Sequence, residues 1–420
     1  MRAVTASDWP KFGSVNSAFL GKELFLKTLD FRLYWLSDVL AQITGVAAGL
    51  AVPLVVFRHT QDMVATGIVS TASGIASMAG AIVGGTIADK YARKPVIIGS
   101  NLLAGFLAFG LAWTALPGNF SVGLFGTLLC AFMFCYSIGQ ACADPSLPQL
   151  VAEEDIAAAQ GFIQARMQFA GLIGPLLGGV LIDVGEWVPF AAAGTGCLVA
   201  GACFLFIRAD LNPESRATEN FFAATAKGFA IVGASPVLRS LITMQVFANA
   251  ALSGALFLAV VSLENAGFTG VVIGIARSAI GVIGILGALA TRFIQRTLAF
   301  RTLMLVNTGF LAAALACAAL VHDSLAVVVP LGIAVLFAPA AGAVIYAKLV
   351  ELIDEHAFGR VTTIQSTTVT TLSGVWNTPL GYITSAWSFL AGFWACAGLA
   401  VLGFATTFLF NSAVARSETR

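Results

Sequence analysis

Charge is what this sequence has least of. Of its 420 residues, 22 are Lys or Arg and 21 are Asp or Glu, together 10%, where an ordinary soluble domain carries about 25%. A soluble globular protein is excluded on that ground. Long polar stretches are missing too: the longest connection between apolar segments is about 30 residues, too short for an independently folded catalytic domain. Histidine is scarce, and His59, His322 and His356 fall in separate connections. No metal cluster, nucleotide-binding loop, nucleophile–base pair or haem motif is present, so neither an enzyme nor a metal or cofactor is expected. The seven cysteines, at 130, 135, 142, 197, 203, 317 and 396, all lie in apolar segments, are odd in number and include no C-x-x-C. They read as small apolar filling rather than disulfides or ligands.

What is abundant is apolar length. The mean hydropathy is +0.91 over the whole chain. Twelve apolar segments can be marked, at 32–57, 66–88, 96–115, 121–143, 158–182, 187–207, 238–262, 268–290, 302–321, 325–347, 361–385 and 387–411. Each has about 20 to 26 residues, the length a helix needs to cross a ~30 Å hydrocarbon layer. The expected fold is therefore an all-α membrane protein. Of the Lys and Arg in the connections, the termini and one alternate set hold Lys22, Lys27, Lys90, Arg93, Lys94, Arg216, Arg292, Arg296, Arg301 and others, while the opposite set holds Arg58 alone. By the positive-inside rule both termini are cytoplasmic. The first apolar run is too long for a signal-peptide core and no cleavage pattern follows it, so no cleaved leader is expected. Phe19, Leu20, Leu24, Phe25 and Leu29 beside Lys22 and Lys27 are compatible with a short interfacial helix.

The chain reads as two copies of one plan. Arg32 before the first segment answers Arg239 before the seventh, and Gly85-Thr-Ile-Ala-Asp89-Lys90-Tyr-Ala-Arg93-Lys94 answers Gly287-Ala-Leu-Ala-Thr291-Arg292-Phe-Ile-Gln295-Arg296. Leu150-Val151, a helix and Gly174-Pro175 are echoed by Leu349-Val350, a helix and Thr378-Pro379. Such duplication in a membrane carrier means two bundles around a shared pathway. The expected organisation is a cytoplasmic segment 1–30, a six-helix bundle 31–207, a linker 208–237 with a helix along the membrane surface, a second bundle 238–411 and a cytoplasmic tail 412–420.

Twelve spans in two sixes, with G-x-x-x-D-K-x-x-R-K in the loop expected from Gly84 to Pro95 between spans two and three, resemble the major facilitator superfamily. Asp30-Phe-Arg32-Leu-Tyr-Trp35-Leu36, Asp144-Pro145-Ser-Leu-Pro148-Gln-Leu-Val151 and Gly171-Leu-Ile-Gly174-Pro175-Leu-Leu-Gly178-Gly179 are similar to its bacterial branch of macrolide-efflux-type and enterobactin-exporter-type proteins. The resemblance implies that Gly85, Asp89, Lys90, Arg93 and Lys94, joined by Asp144, latch the cytoplasmic ends of the two bundles in the outward-facing state. The plainer alternative is ordinary positive-inside charge. It also implies that Gly171, Gly174, Pro175, Gly178 and Gly179 form the helix pattern associated with antiporters. The residues alone say that span five bends and packs closely.

Ionisable residues inside spans are costly and are functional candidates by default. Asp38 and Arg166 each lie about two turns into their spans, so they sit at matching depth and meet if spans one and five are neighbours. The resemblance implies that they are. Burial favours a neutral carboxyl while a guanidinium favours the anion, so movement or cargo can tip such a pair between proton states. Asp38 is the proton-carrier candidate and Arg166 its modulator; a static ion pair is the alternative. Arg277, near the middle of span eight, has no acid in its own span and is a candidate for an anionic substrate group, with backbone carbonyls or a water pocket as the plain alternative.

In the fold that the resemblance implies, spans one, four, seven and ten line the central cavity, which makes Gln42, Tyr136, Gln140, Gln245, Asn249 and Tyr346 candidates together with Gln365. Tyr136, Ser137 and Gln140 stand where several drug antiporters carry an arginine. Span eleven holds a hydroxyl-rich run from Thr362 to Ser373, which either lines water or hydrogen-bonds its own backbone. A roomy, weakly charged cavity suits a fairly large amphipathic molecule. The expectation is a proton-coupled exporter, a multidrug or siderophore antiporter of the bacterial inner membrane, acting as a monomer with protons, lipid and a small amphipathic substrate as partners and no nucleic acid. A lysophospholipid transporter and a non-transporting membrane receptor are the alternatives.

Overall fold

The structure, a computed structural model, describes residues 29–152, 155–212, 229–353 and 355–418. The interfacial helix expected near the start of the chain lies outside these residues, as does most of the one expected in the 208–237 connection, of which residues 229–234 are helical. No strand occurs among the described residues. The first six crossings are α1 (Leu29–Thr60), α2 (Met63–Lys90), α3 (Arg93–Thr114), α4 (Val122–Ala143), α5 (Ile156–Val184) and α6 (Val188–Phe206), with a 3-10 segment at Asp144–Gln149. Then come α7 (Pro236–Asn265), α8 (Gly270–Thr297), α9 (Phe300–Leu320), a tenth crossing split into α10 (Val328–Leu336) and α11 (Ala338–Leu352), an eleventh split into α12 (Glu355–Val375) and α13 (Asn377–Ala386), and α14 (Phe389–Glu418).

Local chemistry explains the ends and breaks. Asp62 caps α2 by accepting from the Val64 amide at 2.8 Å, and Ser235 with Pro236 opens α7. The split crossings break at Phe337, two residues before Pro339, and at Trp376, three residues before Pro379. There the ring removes a backbone bond and crowds the carbonyl four residues back. By length and hydropathy alone 11 helices among the described residues qualify as membrane spans. The crossing outside that count is the eleventh, α12 with α13, whose hydroxyl run and break lower its apolar character. Two features depart from the sequence expectation. Gly84 and Gly85 sit inside α2 rather than in a loop, and the turn to α3 is only Tyr91 and Ala92. Helix α14 also continues past residue 411 to Glu418.

In the first bundle α1 packs on α5 and α6, α2 on α4, and α3 on α4 and α6; in the second α7 packs on α12 and α14, α9 on α10 and α14, and α8 on α10 and α11. Two seams join the bundles, α5 with α8 and α2 with α12 and α13. They are pseudo-symmetric partners, span five meeting span eight as span eleven meets span two. Lipid supplies no hydrophobic drive for helix association, so close backbone approach has to hold such seams. Accordingly Gly179 lies against Gly270 and Gly274, Gly67 against Asn377 and Thr378, and Gly381 against Met63 and Val64.

Candidate functional site

The bonds that join the bundles run from mid-span toward one end of the molecule, the end carrying the 60–63 and 265–270 turns. Ser278 on α8 donates to the Leu172 carbonyl on α5 at 2.6 Å. Thr378 donates to Thr71 at 2.8 Å, and Thr371 lies on the Met78 sulfur at 2.6 Å. Farther out, Asp183 accepts from the Gly270 and Val271 amides, both at 2.8 Å. A carboxylate of the first bundle thereby caps the positive N-terminus of α8 in the second. Arg58, singled out by the sequence as the lone cation on its side, closes this end. Its Nε and Nη2 reach both oxygens of Glu264 at 2.6 and 3.1 Å, while Nη1 lies 3.6 Å from Glu186 and Nη2 3.9 Å from Asp183.

The Arg58–Glu264 fork crosses between bundles, so Arg58→Gln should favour opening of this end. A forked charged bond, discounted because the arginine side chain is 24% exposed, is worth about 1–2 kcal/mol, roughly a five- to thirty-fold change in population. Distances between spin labels on α1 and α7 should show the longer-distance population grow in the variant. An unchanged distribution would mean that the glycine seams hold this end shut without the fork.

Behind the seal lies a cavity of about 630 Å³ between the bundles, lined by α1, α2, α4 and α5 from one and α7, α8, α12 and α13 from the other. A second chamber shares Ser70, Ser73, Met133, Ser253, Thr370, Ser373 and Asn377 with it and follows α2 and α12 away from the sealed end. Of the cavity residues expected from sequence, Asn249 and Arg277 line it. Arg277 sits two turns into α8 from the sealed end rather than at mid-helix. Gln42 and Tyr136 line neither chamber, and Gln140 turns into the first bundle. Gln365 donates to Gln245 at 2.7 Å, and neither lines the chambers. Tyr346 is exposed and stacks edge-on against Phe358, away from both chambers. The hydroxyl run serves both readings. Ser366, Thr367, Thr370, Thr371 and Ser373 line the second chamber, while Thr362 and Ser373 donate to their own helix backbone. Sequence reasoning missed Ser70, Ser73, Ser253 and Asn377, because isolated small polar residues in apolar helices carry no pattern.

Asp38 and Arg166 do meet. They form an ion pair with both side chains 5% exposed, inside the first bundle and not in either chamber. Gln140 donates to Asp38 Oδ1 at 3.2 Å and to the Tyr136 hydroxyl at 2.9 Å, and Ser37, Asn101 and Gly139 border the same small pocket. Tyr34, one turn before Asp38, is fully buried and its hydroxyl has no partner among the described residues. The arrangement brings α1, α4 and α5 onto one titratable carboxyl.

At the opposite end from the seal, Arg93 is buried and donates to the carbonyls of Ala88, Pro145 and Leu211 at 3.2, 3.0 and 3.4 Å. Lys94 donates to the Ile207 carbonyl at 2.6 Å, an exposed C-terminus of α6. These bonds stay within the first bundle and the start of the linker that follows it. Arg93 takes the Pro145 carbonyl rather than the carboxylate of Asp144, which is exposed; Lys90 is exposed as well, and the Asp89 side chain lies outside the described residues. Because one guanidinium serves three carbonyls in a fixed fork, Arg93→Ala should lower stability by about 3 kcal/mol, and Arg93→Lys should recover little of it. A thermal melt in detergent measures both.

The glycine pattern of span five divides by face. Gly174 abuts Val46 and Gly178 the Ala47 backbone on α1, Gly179 abuts α8, Pro175 borders the cavity, and Gly171 has open space beside it.

The sequence profile of the Major Facilitator Superfamily matches residues 34–378. An enterobactin exporter EntS from Shigella flexneri is 28% identical over 284 residues, 66% of each chain. Its counterpart from Salmonella typhi is 30% identical over 214 residues, 50% of each. The matched part thus spans about half to two thirds of these relatives' length. Among solved structures, a mutant of the nucleoside transporter NupG superposes with a TM-score of 0.75 at 14% identity over 92% of this chain and 100% of the other. A bacterial homologue of the iron transporter ferroportin does so with a TM-score of 0.71 at 16% identity, over 92% and 100%. At such identities the likeness shows the fold.

Proposed function

Because the chain belongs to the Major Facilitator Superfamily of membrane transporters, we propose that it is a proton-coupled exporter of amphipathic small molecules, acting by alternating access in the bacterial inner membrane with both termini cytoplasmic. The single observation that carries this reading is a cavity between two bundles, sealed at one end only by bonds that can separate, with a buried carboxyl standing apart from it in the first bundle. In this orientation the sealed end is the one that holds Arg58 alone, so the cavity faces the cytoplasm, where an exporter loads. Asp38 takes the proton and Arg166 competes for its carboxylate. Helix α5 carries Arg166 and also the Gly179 face of the seam, so protonation that loosens the Asp38–Arg166 pair acts on a helix that holds the seal. When the seal parts, Arg58 keeps Asp183 and Glu186 within reach in its own bundle, so it does not face a full desolvation cost. The segment from Gly85 to Lys94 is then free to latch the other end against the second bundle.

The likeness to enterobactin exporters supports a siderophore-like cargo for this chain, and the weakly charged, hydroxyl-lined chambers support a large polar-and-aromatic one. The test is uptake into inverted vesicles energised with a proton gradient, against a panel of hydrophobic drugs, catecholate siderophores and lysolipids. Saturable, gradient-dependent uptake of a catecholate or drug is expected. Uptake of lysolipid alone, or flux without saturation, would overturn the reading.

A further inference from the structure

The chambers between the bundles hold one formal charge, and it is positive. Among the described residues lining both, there is no Asp, Glu, Lys or His; Arg277 is the sole ionised side chain. The other arginines inside the bundles have their partners: Arg166 has Asp38, Arg58 has Glu264, and Arg93 has three carbonyls. The acids nearest the sealed end are already committed, Glu264 to Arg58 and Asp183 to the amides that open α8. Arg277 is half-buried and edges the cavity without an acid beside it. A charge held this way inside a membrane protein costs several kcal/mol unless something neutralises it. The cavity is where that something enters.

We propose that the cavity selects amphipathic organic anions, with the guanidinium of Arg277 taking a carboxylate or another oxyanion of the cargo through its forked N–H groups. This rests on the carrier reading above and narrows its substrate class. Three features beyond the charge support it. Asn249 and Asn377 edge the same cavity, and the side-chain oxygen of Asn377 is buried without a partner among the described residues. The polar body of a ligand therefore has neutral groups to meet. Leu252, Leu256 and Phe257 on α7 give it an apolar wall. A planar guanidinium binds an oxyanion by two parallel bonds, which an ammonium cannot reproduce. For a cationic hydrophobic drug the same cavity offers a like charge and no carboxylate, so such compounds are disfavoured.

Dansyl-leucine and dansyl-leucinamide share a body and differ in one charge, and their fluorescence reports binding to the full-length protein in nanodiscs without any gradient. The wild type should bind the carboxylate at least about tenfold more tightly than the amide, the scale of one charge-assisted bond. Arg277→Gln should erase that preference, and Arg277→Lys should keep an intermediate one. Equal affinity for the two probes in the wild type, binding of neither, or an undiminished preference in Arg277→Gln would each overturn the proposal. The wild-type comparison stands even if the variant folds poorly. An Arg277-dependent preference in a protein that shows no gradient-driven transport would count against the exporter reading alone.

Discussion

A protein carrying Asp38→Asn together with Arg166→Gln is expected to fold, bind cargo and fail to move it against a gradient. The single changes should behave differently. Removing one member of a buried pair leaves the other charged and unsolvated, a cost of about 3–5 kcal/mol, whereas neutralising both is often close to neutral. Asp38→Asn alone should therefore lower the melting temperature markedly while the double change restores it. If the pair were only a static tie between α1 and α5, restoring stability would restore transport. If Asp38 carries the proton, stability returns and coupling does not, because no carboxyl remains beside Gln140 and Tyr136. The measurement is proton-driven uptake in inverted vesicles alongside a thermal melt and cargo binding. Full gradient-driven transport by the double variant would remove Asp38 from the mechanism.

The second large effect is expected at Gly179. A Cβ there would meet the Gly270 carbonyl and the Gly274 Cα, which are backbone atoms that no rotamer change can move aside. Gly179→Val should push α5 from α8, breaking the Asp183 bonds to Gly270 and Val271 and the Ser278 bond to Leu172. Overpacking commonly costs 1–3 kcal/mol. With backbone on both sides the cost should be about 3 kcal/mol or more, and transport should fall at least tenfold. Gly171→Ala, eight residues earlier in the same pattern, meets nothing within 4 Å and should be silent. Comparing the two by thermal melt and transport separates contact from bending. Equal losses at both positions would show that the glycines serve helix flexibility rather than the seam.

The two predictions draw on different depths of reading. The crossings, the twofold plan and the family were legible in the sequence because hydrocarbon thickness, positive charge placement and a charged turn motif all act through spacing along the chain. Gly84 and Gly85 show the limit of such reading. A glycine pair before a cluster of charge looks like a loop, yet Gly84 is helical because it packs on Ile138 and Ala141 of α4, a partner more than fifty positions away.

The candidate site divides in the same way. Asp38 and Arg166 could be paired from depth alone, since two charges in apolar helices have few other places to go. Gln140 and Tyr136, cavity candidates by sequence, stand instead beside the Asp38–Arg166 pair, and Gln365 donates to Gln245. Which face of a helix looks at a cavity is set by how the helices pack, and an all-round apolar sequence does not record it. The sequence by itself determined the bilayer-spanning plan and that Asp38, Arg166 and Arg277 lie inside the spans; it did not show that Arg93 is buried. Only the tertiary structure decided that the end held by Arg58 is the sealed one, that Gly179 of the span-five pattern packs tightly on the second bundle while Gly174 and Gly178 face α1, and that Arg277 stands in the cavity without an acid. Burial cost is written residue by residue, whereas its neutralisation depends on neighbours brought from distant positions.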